Sequence, residues 1–227
     1  WLLLLDNGSS DDSRAEVRAH LAGHPGLAAD IEAVSAPGKV NALAAGLAAV
    51  ATPYAAVRDA DTRYPPGYIA RALALFAAHP EAAAVMAIDL YAPPDAPQSI
   101  RRIRCVLDKC RHRPGCCHAG GYAQVFRTQA LRAAGGFDAA RWPFILEDHE
   151  IAYRLLKTGP IVYDAEFYCF PAPRRRNRRK VDWSWYERWV YRHTPMARMD
   201  WFFYDFLRRR LERRGAYATV LRERDWA

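Results

Sequence analysis

The sequence predicts an α/β fold: a mixed, mostly parallel sheet with flanking helices. Three observations carry this. Apolar runs of four to six residues alternate with helical stretches of about 9–12 residues, the signature of βαβ units. One such run, Tyr54–Arg58, ends in the acidic triplet Asp59-Ala60-Asp61. A second acidic pair, Glu147-Asp148, opens a helical stretch instead.

In chain order, Leu2–Leu5 reads as a buried strand running into Asp6-Asn7-Gly8-Ser9-Ser10-Asp11-Asp12, a loop rich in helix-capping residues. A helix follows over Arg14–Ala22, then a short strand over Ile31–Val34. Pro37-Gly38-Lys39 opens a helix over Val40–Val50, and the strand Tyr54–Arg58 comes next. Pro65-Pro66-Gly67 starts a helix over Tyr68–Ala78, and Ala83–Ile88 is the following strand. Arg101–Arg113 is expected to be helical. Gly120-Gly121 precedes a strand over Tyr122–Arg127, and a short helix over Thr128–Ala134 stops at Gly135-Gly136. Glu147–Thr158 forms the next helix, halted by Gly159-Pro160, and Ile161–Tyr163 is expected to be the final strand. Beyond Pro173 the chain is Arg-rich, then aromatic and helical to about Arg214.

Length and composition suit one substantial core in 227 residues. No charge-free apolar stretch reaches the roughly 20 residues that span a bilayer. Trp1–Leu5 is too short for a signal peptide and has no basic flank before it. The five cysteines, an odd number, point to reduced thiols and a cytoplasmic setting. Cys105, Cys110, Cys116, Cys117, His112 and His118 crowd together, yet their spacings fit no common zinc template.

Charge is distributed unevenly. Residues 174–227 hold 16 Arg/Lys against 7 Asp/Glu, whereas residues 1–173 are one charge negative. This composition boundary divides a catalytic domain, 1–173, from a basic, aromatic-rich helical extension, 174–227, and the extension asks for an anionic partner.

The acidic clusters suggest chemistry. Carboxylates at strand ends face the crevice where α/β sheets bind ligands, and alternate strand residues share a face. Asp59 and Asp61 could therefore converge on Mg²⁺ or Mn²⁺ beside a phosphate, since these ions take oxygen ligands. They could equally cap the turn before Pro65. Glu147 and Asp148 suit a base at a helix start, and they also suit the ordinary preference of acids for a helix N-terminus.

Five segments in order resemble the family 2 glycosyltransferases, which have the GT-A fold. They are Leu5–Asp11, Gly38–Leu47, Asp59-Ala60-Asp61, Gly135-Gly136-Phe137-Asp138 and Glu147-Asp148. The resemblance implies an inverting, metal-dependent transfer of sugar from a nucleotide-diphospho-sugar, a UDP-sugar, to a hydroxyl of a saccharide or lipid-linked acceptor in envelope polysaccharide or glycolipid synthesis. It implies that Asp6 and Asn7 contact the nucleoside, that Lys39 lies near the nucleotide and that Asp59 faces the ribose or diphosphate. Asp61, with Asp59, would hold Mn²⁺ or Mg²⁺. Asp148 would be the base, with Glu147 beside it. Two departures follow. The family begins with a strand and loop that this sequence lacks, so a gap in the sheet is expected. The family's Gln-x-x-Arg-Trp motif is only partly kept as Trp185-Tyr186-Glu187-Arg188-Trp189, which retains Arg188 for the donor and argues against a processive polymerase.

Two other classes stay open: a sugar nucleotidyltransferase, and a non-catalytic basic module for membrane or nucleic acid. Nucleic acid is disfavoured because RNA-binding and helix-turn-helix signatures are lacking. Arg174–Lys180 could clamp a diphosphate, lie on anionic lipid or stay solvated. The aromatic tail could pack across the acceptor side or sit at a peripheral membrane surface.

Overall fold

The computed structural model describes residues 1–172 and 183–219. In chain order the first half runs β1 (Leu2–Asp6), α1 (Ser13–Ala22), β2 (Ala29–Ala33), α2 (Lys39–Ala49), β3 (Tyr54–Ala56), β4 (Thr62–Arg63) and α3 (Tyr68–Ala78). Then come β5 (Ala84–Met86), β6 (Ile88–Asp89), α4 (Pro97–His112), a 3₁₀ turn (Gly121–Ala123), β7 (Gln124–Arg127), α5 (Thr128–Ala133) and α6 (Glu147–Leu155). β8 (Ile161–Val162) and β9 (Tyr168–Pro171) close the sheets. The tail is α7 (Trp185–His193), a 3₁₀ turn (Met196–Arg198) and a helical run of α8 (Met199–Trp201), a π-helix (Phe202–Leu207) and α9 (Arg208–Arg213).

The strands form a mixed architecture. β1 and β2 pair in parallel from Leu2↔Ala29 to Asp6↔Ala33. A four-stranded sheet has the order β3-β7-β5-β8, with β7 antiparallel to both neighbours and β5 parallel to β8. A three-stranded sheet has the order β4-β9-β6. Among the described residues β1 has no ladder to the four-stranded sheet. Its expected burial is corrected accordingly: Leu2 is exposed and Leu3–Asp6 are half-buried. Cover for Leu5 comes from α2, where Gly46 lets the leucine approach so closely that a Cβ there would lie 2.7 Å from Leu5 Cδ1.

Three other strand expectations change. The run expected as one strand over Ala83–Ile88 is split at Ala87, where hydrogen bonding passes from β7 to the Phe167–Cys169 segment. Tyr163 does not end the sheet: β9 follows and pairs with both β4 and β6. Most consequential for function, β3 ends at Ala56. Asp59-Ala60-Asp61 therefore lies in a turn, closed by Thr62 N–H donating to the Asp59 carbonyl at 3.2 Å. The same-face argument for Asp59 and Asp61 does not apply to a turn.

Three hydrophobic centres hold the molecule, the smallest around Ile88, Leu90 and Val106. The largest joins α2, α3, β5, β7 and α6 through residues such as Val40, Phe76, Val85, Phe126 and Ile151. The second packs the tail onto the domain: Trp142, Phe144 and Tyr153 meet Tyr191, Phe202, Phe203 and Leu207. Burying each such side chain is worth about 1.5–3 kcal/mol, so the tail is fastened by its own core. A capping box opens α7, with Ser184 and Glu187 each accepting the other's backbone N–H. The fully buried Glu187 also receives Arg210 at 2.9 Å and Arg214 at 3.1 Å, tying α7 to the end of the helical run.

Candidate active site

Two helix N-termini bring the predicted residues together. α2 starts at Lys39 after Gly38, whose φ of 103° few side-chain-bearing residues adopt. Space forbids a side chain there too, because a Cβ would lie 2.5 Å from the Ala218 carbonyl oxygen. α6 starts at Glu147 after Leu146, the one non-glycine with positive φ (68°) among the described residues. Such backbone is uncommon for a bulky residue, and here it directly precedes the acidic pair.

Lys39 is the hub. Its Nζ donates to Asp59 Oδ1 at 2.8 Å and lies 3.8 Å from Glu147 Oε1. Burial disfavours the ammonium, but Glu147 and Asp59 outweigh it and hold the Lys39 pKa above its usual value. Gly121 closes the other side: a Cβ there would meet Asp148 Cβ at 3.3 Å and Lys39 Nζ at 3.4 Å. Asp59 is set from behind by its backbone N–H donating to Tyr64 Oη at 3.1 Å, while that hydroxyl donates to the Tyr122 carbonyl at 2.8 Å. Burial pushes the Tyr64 phenol up to about 12, so it stays a donor at neutral pH.

The two adjacent carboxylates are driven apart. Burial raises Glu147; Lys39 pulls it down, Asp148 pushes it up again, and it remains above the ordinary glutamate value. Burial also acts to raise Asp148, but His149 and Lys39 pull harder, leaving it below the ordinary aspartate value. The geometry explains this. Asp148 Oδ2 accepts from Gly121 N–H at 2.9 Å, and Oδ1 accepts from His149 N–H and from its ring Nδ1, each at 2.9 Å. A carboxylate accepting several N–H donors favours its ionised form. Gln124 Nε2, buried on β7, donates to the Asp148 carbonyl at 3.0 Å and fixes the first turn of α6 to the sheet.

The other predicted residues make contacts of their own. Asp61 lines a cleft of about 610 Å³ with Arg63, Tyr91 and Phe170, and its carbonyl accepts from Ala172 N–H at 3.0 Å. Asp6 accepts from Ser9 N–H at 3.1 Å and pairs with Arg14, which together lower its pKa. Asn7 ties its loop to the start of α2: Oδ1 accepts from Gly38 N–H at 2.7 Å, and Nδ2 donates to Val34 and Ala36 carbonyls. Arg188 is exposed on α7. Lys39, Asp59, Glu147 and Asp148 are thus brought into one cluster. His149, Gly121, Tyr64 and Gln124 were not singled out from sequence; only the adjacency of His149 to Asp148 could have flagged one of them.

Among the described residues no group of three or more His, Cys, Asp or Glu side chains is arranged to hold a metal ion. The acidic turn still suits a hard cation. Mg²⁺ and Mn²⁺ need only one or two protein carboxylates when substrate phosphates and water complete the shell, and Asp61 and Asp59 could supply them.

A model of the family described as Glycosyl transferase family 2 matches residues 2–134. Among solved structures, the mannosyltransferase PcManGT from Pyrobaculum calidifontis, in complex with GDP-Man and Mn²⁺, is similar with a TM-score of 0.61 at 20% identity, covering 84% of this chain and 50% of that one. TarS 1-349 from S. aureus, in complex with UDP-GlcNAc, is similar with a TM-score of 0.56 at 15% identity, covering 92% of this chain and 63% of that one. The chain thus spans half to just under two thirds of the length of these structures. The likeness establishes the GT-A fold. No curated protein sequence matches the chain.

Proposed function

The chain belongs to glycosyl transferase family 2, and from that premise we propose that it transfers a sugar from a nucleotide-diphospho-sugar to a hydroxyl acceptor with inversion at the anomeric carbon. The observation that carries this reading is the meeting of Lys39, Asp59, Glu147 and Asp148 at the start of α6. Asp148 is the base. It stays ionised at neutral pH, and His149 and Gly121 fix its orientation. The acceptor oxygen attacks the anomeric carbon, the carbon–oxygen bond to the diphosphate breaks, and its electrons stay on the departing phosphate. The acceptor proton passes to Asp148. One displacement with one base inverts the centre.

Lys39 supplies fixed positive charge beside the leaving diphosphate, and Glu147 and Asp59 keep it protonated. Asp61, with Asp59, would hold Mn²⁺ or Mg²⁺, which stabilises charge on the diphosphate when bound. The Asp6–Asn7 loop braces the nucleoside side of the cleft through its bonds to Ser9, Arg14 and Gly38. Arg188 is assigned to the donor's phosphates. PcManGT holds GDP-Man and TarS holds UDP-GlcNAc; for this chain we assign a UDP-sugar. The acceptor is assigned to envelope polysaccharide or glycolipid, with catalysis on the cytoplasmic side. The tail, helical over 185–213 among the described residues, acts as an extension on the acceptor side. Its basic run, Arg174–Lys180, lies outside the described residues.

The test is a screen of UDP- and GDP-sugars with Mn²⁺, scored by nucleotide release and by the anomeric configuration of the product. Asp148→Asn should lower turnover by about 10²–10⁴-fold while nucleotide binding persists. A retained anomeric configuration, or full activity of Asp148→Asn, would remove the single-base mechanism.

A further inference from the structure

The tail packs one face inward and leaves another whose aromatic side chains the reaction does not use. On α7 the buried residues are Glu187, Val190 and Tyr191, at helical spacing. The outward face carries the aromatics instead. Trp185 is 78% exposed, Tyr186 47% and Trp189 48%, and on α8 Trp201 is 48% exposed. Three of them form a contiguous patch: Tyr186 lies 6.4 Å from Trp189 and 5.8 Å from Phe206, and Phe206 lies 5.5 Å from Trp201, ring centre to ring centre; Trp185 shares the α7 face of Trp189, four positions on. Single exposed apolar side chains are ordinary on a protein surface; three tryptophans clustered on one face are not.

Charge says what covers them. Residues 185–214 hold eight arginines and four carboxylates. All four carboxylates are engaged by cations: Glu187 by Arg210 and Arg214, Asp200 by Lys157, Asp205 by Arg209 and Glu212 by Arg208. The surface field is therefore positive. Each exposed tryptophan has an arginine three positions away, at Arg188, Arg192 and Arg198, and all three arginines are exposed. Indole rings at headgroup depth flanked by arginines fit an anionic bilayer surface, which a helix lying in the interface plane binds through both terms. Among the described residues no helix is long and apolar enough to cross a membrane, so the contact is a docking of this face.

We propose that the outward face of α7 and α8 docks the protein on an anionic lipid surface through Trp185, Trp189 and Trp201. The face adjoins the catalytic cluster: the His149 ring contacts Trp183 at 5.0 Å, and α7 begins two residues later. If the glycosyl-transfer reading holds, docking brings lipid-anchored acceptors to Asp148; the docking itself does not rest on that reading.

The test is flotation of the full chain with phosphatidylglycerol-containing vesicles and with pure phosphatidylcholine vesicles, with tryptophan emission recorded. Binding to the anionic vesicles alone, a blue shift and release by added salt are expected. The W185S/W189S/W201S triple variant should lose at least about tenfold in vesicle affinity, with its melting temperature and nucleotide binding unchanged. Absence of binding by the parent protein, or undiminished binding by the triple variant, overturns the proposal. So does a parent dimer, measured by light scattering, that the triple variant dissociates, since the face would then belong to a second copy. Nucleotide binding reports on the catalytic reading separately. If the triple variant melts early, R192Q/R198Q replaces it, and vesicle binding that persists undiminished in that variant is equally fatal.

Discussion

The ring of His149 lies against the carboxylate of Asp148, Nδ1 to Oδ1 at 2.9 Å, and the backbone N–H of the same histidine reaches the same oxygen. Because an ionised carboxylate only accepts, the proton in this bond is on Nδ1. One residue thus both orients Asp148 and lowers its pKa.

Removing the ring should be visible in the pH profile. Asp148 is depressed below 3.8, against the upward push of burial, largely by His149. With His149→Ala, the folded value rises towards and past the ordinary one. The acid limb of kcat should move to higher pH, and kcat at neutral pH should fall by about tenfold. A profile from pH 4 to 9 on both proteins measures this. A limb that stays in place, with a simple uniform loss of rate, would mean that His149 is only packing between Trp183 and Tyr191.

The acidic turn makes a separate prediction about metal. Asp61 borders the cleft, whereas Asp59 is hydrogen-bonded to Lys39. Asp61→Asn should raise the Mn²⁺ concentration needed for half-maximal activity by at least about tenfold, with little change in folding. Titrating Mn²⁺ after chelator treatment checks it. An unchanged metal requirement would move the cation away from this turn.

Gly38 carries a prediction about stability. Its φ of 103° is costly for L-residues, and a Cβ would lie 2.5 Å from the Ala218 carbonyl oxygen and 2.6 Å from Thr219 Cα. Those neighbours are backbone and cannot rotate aside. Gly38→Ala should cost about 2–4 kcal/mol and displace the 216–219 segment. Thermal unfolding measures the first, and limited proteolysis near residue 219 the second. A loss under about 0.5 kcal/mol would show that the contact relaxes freely.

How much of this was legible in the sequence follows from which forces act locally. Helix boundaries were readable where Gly67 and Gly135 punctuate them; α3 matches its expected span of Tyr68–Ala78, whereas α4 begins at Pro97, four residues before the expected Arg101. The chemistry-bearing segments were readable because the order of motifs survives without knowledge of geometry. β9 was not, because Tyr168-Cys169-Phe170-Pro171 is four residues long and exists through its partners β4 and β6. The placement of Asp59 in a turn was equally hidden, since Val57 and Arg58 continue the run beyond Ala56 and look like strand in sequence. His149 carries no motif of its own, and its role follows only from the distance to Asp148.

Glu187 joins α7 to the end of the helical run at one buried carboxylate, which sets a pH dependence. Burial pushes its pKa up, but the Ser184 N–H bond, Arg210 and Arg214 outweigh this, and the folded value is below 4.5. For an acid with a depressed folded pKa, the stabilisation is fully present above the unfolded value. It is lost as pH falls through the folded value, because the unfolded chain takes up the proton first. The parent protein should therefore lose stability below about pH 4.5, and part of that slope belongs to Glu187. Glu187→Gln keeps the shape and some capping but leaves Arg210 and Arg214 unmatched. Both arginines are partly in water, so the cost should be about 2 kcal/mol, less than for a fully buried pair. Urea unfolding at pH 7 and pH 4 measures both effects. The difference between parent and variant should be large at pH 7 and should shrink at pH 4. A difference independent of pH would assign the loss to packing of α7 on α9 and not to the charge of Glu187.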